Sequence, residues 1–156
     1  MEGDTPRHRR ALGGDGLRPQ LRARPLRPVQ PAAGYYSNAN TLFAPLSRDS
    51  RYTEKEVFVG ARPPEGAIAF RKESLRRDGL LTQEVGGATF HAAYDPTLDT
   101  AHVYRGDGSD LSYREGQVTV DGEAVAPDAV PLDRVLDLDA MWFAWAGFYP
   151  GTVVVA

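Results

Sequence analysis

The sequence contains no cysteine, and this absence excludes several classes of chemistry at once. Disulfides, thiol nucleophiles, iron–sulfur clusters and thiolate zinc sites all need that residue. No stretch approaches the roughly 18 uncharged apolar residues that a membrane-spanning helix needs, and the start of the chain lacks the apolar core of a secretory signal. These absences predict a soluble protein without a membrane span, cytoplasmic by default.

Lysine is scarce, and aromatic residues are missing from one end of the chain. Only Lys55 and Lys72 are lysines among 18 basic residues, the bias expected of a GC-rich genome. Residues 1–34 hold seven arginines, five prolines and five glycines but no aromatic residue. Such a segment cannot bury enough apolar surface to offset its ordering entropy. We therefore expect a disordered arm over residues 1–34, genuine or produced by a misplaced start or reading frame.

The remaining 122 residues, 35–156, fit a single domain in length and composition. The arm carries a net charge of +4 and the domain −7, which together give the total of −3. A basic arm could bind nucleic acid through phosphate contacts, but this one has no aromatic side chain to stack on bases. Nucleic-acid binding is therefore the weakest of the functional hypotheses.

Short apolar runs separated by glycine, proline and aspartate follow the arm, a pattern typical of strands and turns. A short surface helix is predicted over residues 72–78, ended by Gly79. The Gly86–Gly87 pair is the strongest hairpin signal, because both positions accept positive φ. Strands are predicted at residues 57–61, 67–70, 81–85, 88–94, 101–105, 111–113, 117–120, 123–125 and 152–155.

One longer helix is predicted over residues 139–149, with Asp139 as its N-cap and Pro150 after its end. Trp142, Trp145 and neighbouring apolar residues recur at helical spacing, which predicts a stripe that packs in the core. The predicted fold is α+β and mainly β. It is a small barrel-like or sandwich-like antiparallel sheet with one C-terminal aromatic helix packed on it.

Three blocks carry a family resemblance, at residues 34–60, 85–101 and 142–150, the last reading Trp-Phe-Ala-Trp-Ala-Gly-Phe-Tyr-Pro. Together they resemble the uncharacterised prokaryotic family called domain of unknown function 3179, over residues 34–156. The match is to the carboxy-terminal part of longer members. Many members carry Tyr-Cys-Pro-x-Cys-Gly-Thr-Ala, and here Asp95 and Leu98 stand where that pattern has cysteine. The resemblance thus supports a fold and argues against thiol chemistry in this chain.

The hairpin of residues 88–94 and 101–105 offers the one candidate metal site. With Tyr94 opposite Ala101, strand alternation places His91 and His102 on the same face as diagonal neighbours about 7 Å apart. The connecting loop adds Asp95 and Asp99, and two imidazoles with carboxylates suit zinc or iron. The alternative is that the histidines lie on a solvated face and the aspartates only form the turn.

These observations leave three functional hypotheses. The first is a non-catalytic binding or structural module, with a protein as one candidate partner. The second is a metal-dependent enzyme or metal-binding protein that uses His91, His102, Asp95 and Asp99. The third is nucleic-acid binding through the arm. No motif for a serine hydrolase, a phosphate-binding loop or a helical zinc protease is present.

Overall fold

The computed structural model describes residues 49–156, so the expectations for residues 1–34 lie outside the described part of the chain. Two α-helices lie in this part, α1 (Lys72–Asp78) and α2 (Trp142–Phe148). No helix of residues 49–156 is long and apolar enough to cross a membrane. The strands are β1 (Val57–Ala61), β2 (Ile68–Arg71), β3 (Leu80–Val85), β4 (Ala88–Asp95), β5 (Thr100–Arg105), β6 (Leu111–Arg114), β7 (Gln117–Val120), β8 (Glu123–Val125), β9 (Asp133–Val135), β10 (Asp137–Met141) and β11 (Val153–Val155).

Turn chemistry sets the hairpins, as predicted. Gly86 and Gly87 both have positive φ, at 58° and 81°, in the two-residue turn that joins β3 to β4. This turn pairs Val85 with Ala88 and so fixes the register of the whole β3–β4 pair. Gly79 ends α1 with a φ of 76°, the left-handed conformation that favours glycine at this position.

The strands of the described part of the chain form three sheets. The first sheet has the order β10-β1-β2-β11, the second β3-β4-β5-β9, and the third β6-β7-β8. All neighbouring strands are antiparallel except β11, which runs parallel to β2. The first two sheets pack face to face over the main core, and neither closes on itself. The fold is therefore mainly β and sandwich-like.

Apolar side chains from alternate positions of both sheets fill this core. The first sheet contributes Val59, Ile68 and Phe70, and the second contributes Phe90 and Val103. All five are fully buried. Phe90 and Val103 thus share the inner face of the hairpin formed by β4 and β5.

The outer faces of the two sheets are covered by different elements. Helix α2 lies on the first sheet and buries Trp142, Trp145 and Ala146 there, which confirms the predicted aromatic core. The third sheet covers the second and buries Val118 against Tyr104. Residues 49–156 thus form four layers in the order helix, first sheet, second sheet, third sheet.

The predicted start of the long helix is wrong. The structure places Asp139 within β10, where it pairs with Val59 of β1, and the helix begins only at Trp142. Pairing with an established central strand outweighs the local capping preference of an aspartate. The short helix α1 was predicted to lie on the surface, but it is partly buried, since Ser74 and Leu75 are inaccessible to solvent.

Candidate functional site

The two histidines lie on one face of the β4–β5 hairpin. Tyr94 pairs with Ala101, which puts His91 opposite Tyr104 and His102 opposite Ala93. The predicted register and the predicted shared face are therefore confirmed. The alternative of a solvated face is wrong, because the third sheet covers this surface and leaves His91 9% and His102 4% exposed.

His102 is held between a cation and an anion. An Arg134 Nη2 group lies 2.7 Å from Nδ1, and Asp95 Oδ2 lies 3.2 Å from Nε2. Since a guanidinium can only donate, Nδ1 must be the acceptor, and the ring proton is therefore on Nε2 and is donated to Asp95. Both nitrogens of His102 are engaged in a chain that runs from Arg134 to Asp95.

Asp95 ends this chain and is itself 7% exposed. Its Oδ1 accepts the backbone N–H of Thr97 at 2.9 Å and that of Leu98 at 3.4 Å, which forms the turn at the end of β4. Burial opposes ionisation of the Asp95 carboxyl, but the hydrogen bonds from His102 and the two amides outweigh burial. The pKa of Asp95 therefore lies below its ordinary value, and the side chain is an anion.

His91 occupies a separate environment. Its Nδ1 lies 2.8 Å from Thr82 Oγ1 on the neighbouring strand β3. A Cβ placed on Gly106 would lie only 2.8 Å from Nε2, so glycine is needed at that position. Burial lowers the pKa of His91, and the carboxylate of Asp107 offsets this only in part. His91 is thus a buried histidine that favours the neutral form.

Asp99 does not join the other predicted ligands. It accepts hydrogen bonds from the Arg76 guanidinium at 2.6 and 2.8 Å and from the Tyr94 hydroxyl at 2.8 Å, and it also pairs with Lys72 of α1. Tyr94 belongs to the opposite face of the hairpin from Asp95. The Arg76 and Tyr94 contacts hold the pKa of Asp99 well below its usual range.

The structure therefore brings together only two of the four predicted metal ligands, Asp95 and His102. Within residues 49–156, no three histidine, aspartate or glutamate side chains are arranged to hold a metal ion. A metal at His102 would have to displace Arg134 from Nδ1 or replace the proton that Nε2 donates to Asp95, and one at His91 Nδ1 would have to displace Thr82. The four-residue metal site stays a prediction, and a zinc titration tests it.

Asp95 also lies at the edge of a cleft between the second and third sheets, which we call the polar cleft. Its volume is about 380 Å³. Three loops converge on it: the β4–β5 loop, the β6–β7 turn and the segment after β8. The lining residues are Asp95, Thr97, Leu98, Gly116, Gln117, Ala126, Pro127 and Asp128.

The wall of the polar cleft is anchored to the buried histidine face. The Tyr104 hydroxyl donates a 2.7 Å hydrogen bond to the carbonyl of Pro127, and both residues are buried. Because Tyr104 neighbours His102 on the same face of β5, one strand positions both the anionic end of the cleft and its wall. A buried hydrogen bond thus holds the wall of the cleft in place.

Sequence reasoning found only Asp95 among the lining residues of the polar cleft, and the side chains that it missed include Thr82, Arg134, Gln117 and Asp128. A signal for Thr82 existed, since counting back from the Gly86–Gly87 turn pairs it with His91. No local pattern could have indicated the other three, because long-range packing brings them to β4 and β5.

A family model described as a protein of unknown function (DUF3179) matches residues 24–152. The matched range contains every residue of the polar cleft and of the Arg134–His102–Asp95 chain. No curated protein and no solved structure matches the chain significantly.

Proposed function

The chain belongs to the family of proteins of unknown function DUF3179, and from that premise we propose that it is a non-catalytic binding module. Its ligand is an aliphatic ammonium ion, held in the polar cleft. The observation that carries the proposal is that the buried anion Asp95 and the carboxylate of Asp128 line one cleft, and that no basic residue of 49–156 lines it.

The electrostatics of the cleft favour a cation. Asp95 remains ionised because its hydrogen bonds stabilise the charged form. Arg134, the cation nearest in the chain of hydrogen bonds, lies behind His102 and does not line the cleft. Residues 49–156 hold 18 acidic and 10 basic side chains, so the surrounding field is also negative.

The shape and remaining lining favour an aliphatic chain that carries the charge. A volume of about 380 Å³ lies at the lower end of the range for small-molecule sites, ~300 to 1,000 Å³. Leu98, Ala126 and Pro127 offer apolar surface for methylene groups. The Gln117 side-chain carbonyl can accept a hydrogen bond from an ammonium group.

The hydrogen bonding of His102 supports binding rather than acid–base chemistry. Both of its ring nitrogens already have protein partners, so neither is free to exchange a proton with a bound molecule. The role of His102 in this proposal is to position Asp95 and keep it ionised.

The test uses ¹⁵N-labelled full-length protein and 1,5-diaminopentane as the probe. The backbone amides of Thr97, Leu98 and Gln117 should shift in a saturable way, with a dissociation constant on the order of 1 mM, as expected for a few weak polar contacts. The neutral analogue 1-pentanol should cause no saturable shift. The same shifts with pentanol would contradict recognition of a cation.

Two variants that remove one negative charge each make the test specific. Asp128→Asn should weaken binding by up to about fivefold, the effect of losing an exposed ion pair. Glu84→Gln is the matched control, because Glu84 is exposed on β3 and does not line the cleft. Equal effects of both variants, or no binding by the parent, would refute the proposal.

A further inference from the structure

An apolar surface lies on the opposite side of the layered structure, around helix α2. Among residues 49–156 four large hydrophobic side chains are exposed: Leu98, Leu136, Leu138 and Phe148, at 65%, 86%, 52% and 67%. Three of the four are on this surface. Leu136 and Leu138 line a recess of about 130 Å³ together with Gly60, Arg62, Trp145 and Tyr149, and the Phe148 ring centroid lies 6.4 Å from that of Tyr149.

The surface arises because α2 is too short to cover its sheet. The helix has seven residues and packs over Phe58 and Ala140. Leu138 shares a face with both, two positions along β10 from Ala140, and borders the recess beside Trp145 and Tyr149. Gly60, opposite Leu138, leaves room for the Trp145 ring, which a Cβ at that position would overlap.

We propose that this apolar surface, defined by Leu136, Leu138, Phe148 and the recess beside Trp145 and Tyr149, is the interface between two copies of the chain. The inference is independent of the polar cleft. A two-fold interface uses the same patch on both copies, so the patch must be complementary to itself. Here a projecting aromatic ring and an apolar recess lie side by side, as such an interface requires.

The charge pattern identifies a second copy as the occupant. Residues 49–156 have a net charge of −8, so most surfaces of two copies repel each other. Residues 140–156, which include the whole of α2, contain no charged side chain, and Arg62 is the charged residue among those that line the recess. Two copies therefore meet with least repulsion at this surface, while a basic partner would be drawn to the acidic surfaces elsewhere.

An apolar patch of ordinary size predicts a weak dimer. The largest such patch on a typical monomer covers ~300 to 600 Å², and burying that area on both copies would remove roughly 600 to 1,200 Å² from water. Specific stable interfaces begin near the upper figure. We expect reversible association with a dissociation constant on the order of 10 to 100 µM.

Sedimentation equilibrium of the full-length protein tests the proposal. The parent should move from monomer to dimer across the stated concentration range, and Leu136→Asp and Phe148→Asp should each raise the dissociation constant at least tenfold. Leu98→Asp is the matched control, an exposed leucine outside this surface that should dimerise like the parent. Far-UV circular dichroism verifies that each variant is folded.

The salt dependence of the dissociation constant distinguishes this interface from association through the basic N-terminal residues. Screening reduces repulsion between like-charged copies, so high salt should strengthen an apolar dimer, whereas it would weaken contacts between arginines and acidic surfaces. A parent that stays monomeric at several hundred micromolar would overturn the proposal. So would association that salt weakens, or that all three variants retain.

Discussion

Replacement of Trp142 by alanine should remove a large part of the stability of the domain. Its side chain is fully buried, and its ring centroid lies 4.9 Å from that of Phe58 and 5.3 Å from that of Tyr52. The indole N–H also donates a 2.9 Å hydrogen bond to the carbonyl of Asp49. This one residue therefore ties α2 to the first sheet and to the segment that precedes β1.

The expected cost follows from these contacts. Truncation of a buried aromatic side chain to alanine costs about 3 to 5 kcal/mol, since it combines lost burial with an unfilled cavity. Domains of this size are stable by ~5 to 15 kcal/mol, so Trp142→Ala should lose about a fifth or more of the free energy of unfolding. With a typical urea dependence of about 2 kcal/mol per molar, the midpoint should fall by roughly 2 M.

The assay is urea unfolding followed by far-UV circular dichroism. Phe148→Ala is the matched control on the same helix, and since Phe148 is 67% exposed its unfolding free energy should stay within about 0.5 kcal/mol of the parent. Trp142→Phe, which keeps most of the apolar volume, covers the case in which the alanine variant does not fold. If Trp142→Ala unfolds at the same urea concentration as the parent, the aromatic helix does not anchor the core.

Three further predictions concern buried groups around the two faces of the sandwich. Burial lowers the pKa of His91 below its ordinary value of 6.5, so the unfolded chain binds the proton more readily. The free energy of unfolding should therefore decrease as the pH falls through about 6.5. Urea titrations between pH 5.5 and 7.5 should show that this free energy depends less steeply on pH in His91→Gln than in the parent. The same pH dependence in both proteins would contradict a lowered pKa of His91. Gly60→Ala should cost about 1 to 3 kcal/mol in thermal unfolding because its Cβ would overlap the Trp145 ring, whereas Gly151→Ala, with no atom nearby, should cost far less. Equimolar zinc should leave the melting temperature unchanged, because the nitrogens of His102 are already hydrogen-bonded; a rise that His102→Ala abolishes would support the predicted metal site instead.

Local patterns accounted for most strands and for one hairpin face. The strands of residues 57–61, 117–120 and 123–125 have the predicted bounds, and others differ by a residue or two at their ends. Alternation and turn residues act over a few sequence positions, and the β4–β5 register could be predicted because its two strands are separated by only a short loop. The pairing of Tyr94 with Ala101 sufficed to place His91 and His102 on one face.

Long-range pairing explains what sequence reasoning missed. Strands β9 and β10 were not predicted. The Leu-Asp-Leu-Asp-Ala run of residues 136–140 does alternate, but Asp139 was interpreted as a helix N-cap, and the two strands form by pairing with β5 and β1. Arg134 reaches His102 only through this pairing, across 32 residues of sequence. Asp128 enters the polar cleft in the same indirect way, when the third sheet packs on the second.

The sequence alone determined the class of the fold, the absence of thiol chemistry and which side chains share a strand face, since each depends on residue identity or on local geometry. Only the tertiary structure decided the environment of each face. The third sheet buries the hairpin face that carries the two histidines, and contacts with Arg76 and Tyr94 hold Asp99 away from Asp95. Desolvation and hydrogen-bond partners depend on which layers pack together, and a strand's own sequence does not contain that information.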